Sequence, residues 1–197
     1  MKLYNQTTDF TCASASLAMI LNHLDQEFEL SMENEFRIWS ASVNLPTRAS
    51  SIFGLAVFAK ENGADPKIIL EDEDYDYPDY RFKGYKKKEI EAAEFFSGMH
   101  KKDAEKLGIA IEERKIYVDD INELLSSGKI LLLRINAGVF RNTGINSQYI
   151  VFFGYSDGKY KIYDPLTGVL KANEAQLIEA METLHTKKKR DIRMIVF

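Results

Sequence analysis

The sequence is poor in the residues that most often bind metals or form crosslinks. Its 197 residues include one cysteine and three histidines. A single cysteine cannot form an intramolecular disulfide, which is typical of proteins from a reducing compartment. The histidines are scattered and show no metal-ligand spacing, and no glycine-rich phosphate loop is present. We therefore expect no metal ion and no cofactor.

Long apolar runs and an excess of positive charge are also missing. No stretch approaches the roughly 20 apolar residues that cross a membrane, and Met1–Gln6 lack the apolar character of a signal peptide. The net charge is −4, whereas domains that bind nucleic acid are usually basic. The basic runs at 86–88 and 187–190 are short enough to be solvated surface. These absences predict a cytoplasmic protein that binds neither membranes nor nucleic acid.

The composition that remains is that of an ordinary globular domain. Hydrophobic residues make up 45% of the chain and charged residues 28%, which suits a folded protein. A chain of this length can bury a sizeable core. Because no linker or internal repeat divides it, we predict one domain that spans residues 1–197.

Hydrophobic periodicity changes along the chain. The first half is mainly helical, and the second half contains strands with tight turns between them. This order predicts an α+β fold with a helical N-terminal half and a mostly antiparallel sheet in the C-terminal half. The predicted helices lie at about 13–24, 31–40, 50–61, 87–107, 118–127 and 172–184, the strands at 67–70, 130–135, 148–155, 159–163 and 192–197, and loops at 44–51 and, as an acidic tyrosine-rich surface segment, 71–85.

The cysteine stands where a predicted helix begins. Cys12 precedes a run of small and apolar residues, and Asp9 or Thr11 can act as the N-cap. The positive end of a helix favours the thiolate, which is the reactive form. Gln6 lies six residues earlier and is a candidate oxyanion donor. A lone cysteine is also often a small buried hydrophobe, so local chemistry alone leaves both interpretations open.

Two motifs resemble the peptidase C39-like family of papain-like cysteine peptidases. Residues 6–19 read QTTDFTCASASLAM, and residues 148–155 read QYIVFFGY, followed by DPLTG at 164–168. The resemblance covers most of the chain and implies a papain-like fold. It also implies that Cys12 is the nucleophile, that Gln6 is the oxyanion donor and that Asp164 orients the catalytic base.

The base position departs from the family pattern. The resemblance places a histidine where this sequence has Gln148. An amide does not titrate near neutral pH, so it cannot act as general base or acid, a role that contributes about 10²–10⁴-fold. Gln148 can hydrogen-bond both Cys12 and Asp164, which would preserve the shape of the site.

None of the three histidines is an obvious substitute. His23 lies eleven residues beyond Cys12 in the sequence, so on the same helix it would be about 16 Å away along the axis. His100 falls in a lysine-rich helical stretch and His185 just after a predicted helix. We expect both to be surface residues, although the sequence does not settle whether either replaces the missing base.

Two functions remain open from the sequence. The first is an impaired cysteine peptidase, or an amide hydrolase or acyl-transfer domain, that acts on a peptide through Cys12. The second is a non-catalytic pseudopeptidase that binds a peptide or a protein terminus. Both predict a peptide or protein-terminus partner, and they differ in whether Cys12, Gln6, Gln148 and Asp164 perform chemistry.

Overall fold

A computed structural model describes residues 1–73 and 84–197 of the chain. The predicted surface loop at 71–85 therefore falls largely outside the described residues. Residues 71–73, 84 and 85, which are described, belong to no helix or strand.

Helices and strands occur in the order expected for an α+β fold. Three helices come first, and most strands follow in the second half. The helices are α1 (Cys12–Leu24), α2 (Met32–Ser42), α3 (Ile52–Glu61), α4 (Lys87–Lys106), α5 (Val118–Ser126), α6 (Gly138–Arg141) and α7 (Glu174–Lys188), and the strands are β1 (Lys67–Leu70), β2 (Ala110–Glu113), β3 (Leu131–Asn136), β4 (Ser147–Ser156), β5 (Lys159–Asp164), β6 (Gly168–Asn173) and β7 (Arg193–Val196).

The described strands form one sheet in the order β2-β1-β7-β3-β4-β5-β6. Only the β1–β2 pair is parallel, and each remaining neighbour pair is antiparallel. The mostly antiparallel sheet predicted from the sequence is therefore confirmed.

Helices cover both faces of this sheet. One core joins α1 and α3 to side chains such as Leu132 and Val151, and a second core joins α5 and α7 to Leu133 and Phe152. Because successive side chains of a strand point to opposite faces, β3 contributes Leu132 to the first core and Leu131, Leu133 and Ile135 to the second. All six of its residues are buried, including the polar Arg134 and Asn136, so the apolar run at its start is buried as the sequence predicted.

The structure adds three elements that the sequence did not predict, namely β2, α6 and β6. It also moves the start of α7 from Ala172 to Glu174, because Asn173 caps the helix by accepting a hydrogen bond from the Gln176 backbone N–H at 2.9 Å. Ala172 instead belongs to β6. Within residues 1–73 and 84–197, no helix has the length and apolar character needed to cross a membrane.

Candidate active site

Cys12 is the first residue of α1 and borders a cavity of about 250 Å³. Thr11 precedes the helix, and its side chain does not cap the first turn. Burial is the main influence on the thiol and raises its pKa. Hydrogen bonds from the backbone of Tyr149 and Ala13 and the charge of Arg141 act in the opposite direction, while Asp164 adds to the rise. The net effect favours the neutral thiol over the thiolate.

Gln6 lies in the N-terminal loop and is hydrogen-bonded to the residue that follows Asp164. Its backbone N–H donates to the Pro165 carbonyl at 2.8 Å. Its side-chain Nε2 donates to the Thr8 carbonyl at 2.6 Å, which uses one of its two N–H groups. Its Oε1 is buried without a hydrogen-bond partner among the described residues. Gln6 does not line the cavity beside Cys12, so its role as oxyanion donor stays a prediction.

A buried carboxylate fixes this N-terminal loop to α2. Glu35 is fully buried and accepts hydrogen bonds from the Tyr4 hydroxyl and the Thr7 backbone N–H, both at 2.9 Å. Burial and the neighbouring Glu35 raise the pKa of Tyr4, so Tyr4 stays a hydroxyl donor. Gln6 lies between these two anchored residues, so Glu35 limits where the Gln6 side chain can go.

Asp164 ends β5 and is completely buried. Arg141 donates to it twice, from Nε to Oδ2 at 2.6 Å and from one terminal nitrogen to Oδ1 at 2.7 Å. The Leu166 backbone N–H also donates to Oδ1 at 2.8 Å. Such a bidentate arginine–carboxylate ion pair is among the strongest side-chain contacts in proteins. The carboxylate is thus held by a cation that never loses its charge.

Gln148 completes a chain of three side chains centred on Arg141. The same terminal nitrogen of Arg141 that bonds Asp164 also donates to Gln148 Oε1 at 2.5 Å. Gln148 and Asp164 are therefore joined through Arg141 and not by the direct hydrogen bond that the sequence suggested. An arginine stands between the amide and the carboxylate and supplies both with hydrogen bonds. Gln148 lines the same cavity as Cys12.

Arg141 reaches this position because a tight loop returns from β3 to β4. Asn136 Oδ1 accepts the backbone N–H groups of Gly138 at 3.2 Å and Asn146 at 2.8 Å. A Cβ atom on Gly138 would lie 2.0 Å from the Gly144 carbonyl oxygen, so only glycine fits there. The loop therefore holds α6, and with it Arg141, against the ends of β4 and β5.

The histidines, all three within the described residues, are engaged elsewhere. The His23 ring packs against Phe153 with centroids 5.0 Å apart. His100 Nε2 lies 3.4 Å from the Val43 carbonyl oxygen, and His185 Nε2 lies 2.5 Å from Glu71 Oε2. None of the three lines the cavity beside Cys12.

Arg141 is the site residue that sequence reasoning missed. It belongs to a helix of four residues, which is too short to produce a periodic pattern. One physical signal was available. A buried aspartate without an imidazolium partner is expected to pair with another cation, and Arg141 lies seven positions before Gln148.

The family of the chain follows from a comparison with family models. Residues 1–193 match the model described as "Peptidase_C39 like family". The chain belongs to this C39-like family. The resemblance found in the two sequence motifs is thereby confirmed, and family membership agrees with the papain-like fold that those motifs implied.

Two solved structures are similar to this C39-like domain at low identity. One is a double glycine motif protease from an AMS/PCAT transporter in complex with the leader peptide, with 15% identity, a TM-score of 0.49 and coverage of 99% of this chain and 89% of that one. The other is the Pseudomonas avirulence protein AvrPphB, with 12% identity, a TM-score of 0.41 and coverage of 100% and 97%. No curated protein matches the sequence.

The arrangement can support some chemical steps better than others. Cys12 supplies a thiol, and the α1 N-terminus supplies backbone donors for an anion. Arg141 supplies a fixed positive charge, which can attract an anion but cannot accept a proton. Within the described part of the C39-like domain, no group of three or more histidine, cysteine, aspartate or glutamate side chains is placed to hold a metal ion.

Proposed function

We propose that this C39-like domain binds a peptide or a protein terminus in the cleft beside Cys12 and hydrolyses it weakly or not at all. The observation that carries the proposal is the Arg141 guanidinium, which bonds both Asp164 and Gln148. The resemblance assigns the base to position 148 and the orienting carboxylate to Asp164. Neither a guanidinium nor an amide can take a proton from a thiol near neutral pH.

The state of the thiol supports the same conclusion. Burial raises the pKa of Cys12, so the thiolate fraction at neutral pH is small. A histidine-paired cysteine overcomes this because the imidazole accepts the proton and remains beside the sulfur as a cation. Here the cation is permanent, and it is already bonded to Asp164. Without a proton acceptor, neither thiol activation nor protonation of the leaving amine is assisted.

The walls of the cleft support retention of binding. The cavity of about 250 Å³ is bordered by polar side chains that can meet the amides of an extended peptide, including Asn44, Asn146 and Gln148. These side chains allow the cleft to bind the polar backbone of a peptide, even though the base position is an amide. A binding module needs this cleft and does not need the proton transfer.

A second candidate is slow hydrolysis or acyl transfer through Cys12. One observation favours it. Cys12 begins α1, and the Arg141 charge together with two backbone hydrogen bonds lowers the thiol pKa against the effect of burial. A base supplied by the substrate or by a partner would then complete the reaction.

Two parallel assays on one library of octapeptides distinguish these functions. Fluorescein-labelled sub-libraries report binding by polarisation, and internally quenched sub-libraries report cleavage, for wild type and for Cys12→Ala. We expect at least one sub-library to bind both proteins alike and to remain uncleaved. Cleavage by wild type that Cys12→Ala abolishes would establish the second candidate. If no sub-library binds, the peptide-binding proposal is wrong.

A further inference from the structure

Strand β6 forms one edge of the sheet and can accept an additional strand. It pairs with β5 along its whole range, Gly168–Asn173, without a register shift. Among the described residues, no backbone–backbone hydrogen bond joins β6 to any segment other than β5. Its outer side therefore keeps a row of backbone donors and acceptors. The strand contains neither a proline nor a bulge, two features that often prevent strand addition at an edge.

The two faces of β6 differ in character. Leu170 and Ala172 pack against the second core, which α5 and α7 form with the sheet. Val169 and Lys171 point to the opposite face, since successive side chains of a strand alternate, and Val169 is 51% exposed. Leu170 is only half-buried, because no further strand covers it. Apolar side chains of an added strand would extend the second core at this point.

The opposite face of this edge carries positive charge that the described chain does not neutralise. Lys171 lies directly opposite Lys161, and Asn173 lies opposite Lys159. All three lysines are exposed, and none forms an ion pair with a described residue. Lys161 Nζ lies 5.4 Å from the centre of the Tyr163 ring, which keeps its charge on this face. Like charges on directly opposed residues repel each other, and a carboxylate beside Lys171 would relieve this repulsion.

The other edge of the sheet has its charges paired. Glu112 of the edge strand β2 lies 2.5 Å from Lys67 Nζ and 2.7 Å from Arg114 Nε. The charges of the β2 edge are thus balanced within the chain, whereas those of the β6 edge are not. Pairing two copies of the chain through β6 would bring two lysine-bearing strands together. The positive edge therefore disfavours self-association and favours an acidic partner.

We propose that the β6 edge binds an extended segment of a partner protein in which acidic and apolar residues alternate. Apolar side chains of this segment continue the second core beside Leu170 and Ala172, and acidic side chains meet Lys171 on the other face. Main-chain hydrogen bonds to β6 give affinity, and the alternating side chains give specificity. No residue of β6 lines the cavity beside Cys12, so this surface is separate from the site of the proposed function.

Four fluorescein-labelled octapeptides test this surface by fluorescence polarisation. Three of them alternate valine with glutamate, with glutamine or with lysine. The fourth is the valine–glutamate peptide with all backbone amides N-methylated, so it keeps its side chains and charge but cannot pair as a strand. We expect the valine–glutamate peptide to bind at least about tenfold more tightly than the valine–lysine and N-methylated peptides, which corresponds to about 1.4 kcal/mol. Raised salt should reduce its advantage over the valine–glutamine peptide.

A charge reversal connects binding to the edge strand. Lys171→Glu should reverse the order of the peptides, so that the valine–lysine peptide binds more tightly than the valine–glutamate peptide. Lys88→Glu is the matched control, because Lys88 is an exposed lysine of α4 and the same change of charge there should leave the order as it is in wild type. Binding of the valine–glutamate peptide should also slow amide hydrogen exchange within Gly168–Asn173.

Four results would contradict the addition of an acidic strand to β6. The first is equal binding of the valine–glutamate peptide and either the valine–lysine or the N-methylated peptide. The second is equal weakening by Lys171→Glu and Lys88→Glu, which would make overall charge responsible. The third is slowed exchange around the Cys12 cavity and not in β6, which would place the peptide in the cleft and support the proposed function alone. The fourth is a dimer in sedimentation whose formation protects β6, which would make a second copy of the chain the occupant.

Discussion

The two sides of the candidate site differ in how closely they follow the C39-like pattern. On the α1 side, Cys12 begins a helix, as the family motif implies. On the strand side, Gln148 occupies the position implied for histidine. Arg141 donates hydrogen bonds to both Gln148 and Asp164. One side presents a thiol, and the other contains a buried ion pair. The difference shows that the buried carboxylate of this site is neutralised by a guanidinium, which leaves it no need of an imidazolium partner.

The first test introduces a base on the strand side. We expect the double substitution Gln148→His and Arg141→Met to produce a gain in peptide hydrolysis that approaches the range of about 10²–10⁴-fold given by a positioned acid–base. Gln148→His alone should give much less, since Arg141 still occupies Asp164 and its charge disfavours the imidazolium. Cleavage of the quenched octapeptide library measures the gain.

Adding Cys12→Ala to the double variant serves as the control and should abolish the new activity. Equal activity of Gln148→His with and without Arg141→Met would show that the Arg141–Asp164 pair does not restrict catalysis. A loss of existing wild-type turnover on Gln148→His would show that the glutamine itself takes part in a reaction.

The second test removes the ion pair from the fold. Arg141→Met leaves the fully buried Asp164 without its cation, and breaking a buried pair in this way typically costs about 3–5 kcal/mol. Urea unfolding followed by circular dichroism measures the change. Arg37→Met, which breaks an exposed pair with Glu33, should cost less than about 1 kcal/mol. Equal losses in the two variants would mean that the Arg141–Asp164 pair is not structurally important.

The third test concerns the thiol on the α1 side. Because burial raises the pKa of Cys12, iodoacetamide should label the folded protein at pH 7 more slowly than the urea-unfolded protein, and the rate should keep rising above the pH at which a free thiol titrates. Arg141→Met should slow labelling further, since the Arg141 charge lowers this pKa. Fast labelling that persists at acidic pH would reveal a proton acceptor near Cys12.

The same pKa shift has a consequence for stability, with a definite sign. A thiol whose pKa is raised in the folded state ionises first in the unfolded state. The contribution of the neutral thiol to the free energy of unfolding is therefore fully present below the pKa of the unfolded thiol, at about 8.5. It is lost as the pH rises from there through the higher pKa of the folded state. Wild type should consequently lose more stability than Cys12→Ala between pH 8 and pH 10.

The sequence predicted regular elements well where a pattern extends over many residues. Helix α4 was expected at 87–107 and spans Lys87–Lys106, and the expected strand at 67–70 matches β1. The missing elements carry little pattern. Strand β6 lies at the edge of the sheet, where its residues alternate only partly between buried and exposed, and β2 has only four residues.

The sequence motifs predict positions for the candidate site but not the contacts between them. They select Cys12, Gln148 and Asp164, because the order and spacing of these residues follow a family pattern, and the structure places Cys12 and Gln148 on one cavity. The bonds between them depend on Arg141, which lies 23 positions from Asp164 and meets it only after β3, β4 and β5 have paired. Similarly, four arginines line the cavity beside Cys12 but come from three separate parts of the chain, namely Arg48, Arg134, and the pair Arg190 and Arg193. No local pattern links residues that only the folded sheet brings together.

The last and smallest effect concerns the loop that carries Gln6. Tyr4→Phe removes the hydroxyl that donates to the fully buried Glu35, and a lost hydrogen bond to such a group should cost about 1–2 kcal/mol. The Thr7 backbone N–H, which donates to the other oxygen of Glu35, should then exchange faster with deuterium. Amide hydrogen exchange resolved at residues 4–8 measures this loosening. Tyr117→Phe is the matched control, since Tyr117 is 60% exposed and should leave both stability and exchange unchanged. If Tyr4→Phe accelerates exchange at Thr7 but leaves the reactivity of Cys12 unaltered, the loop is held independently of the thiol, and the two anchors of the α1 side can be varied separately.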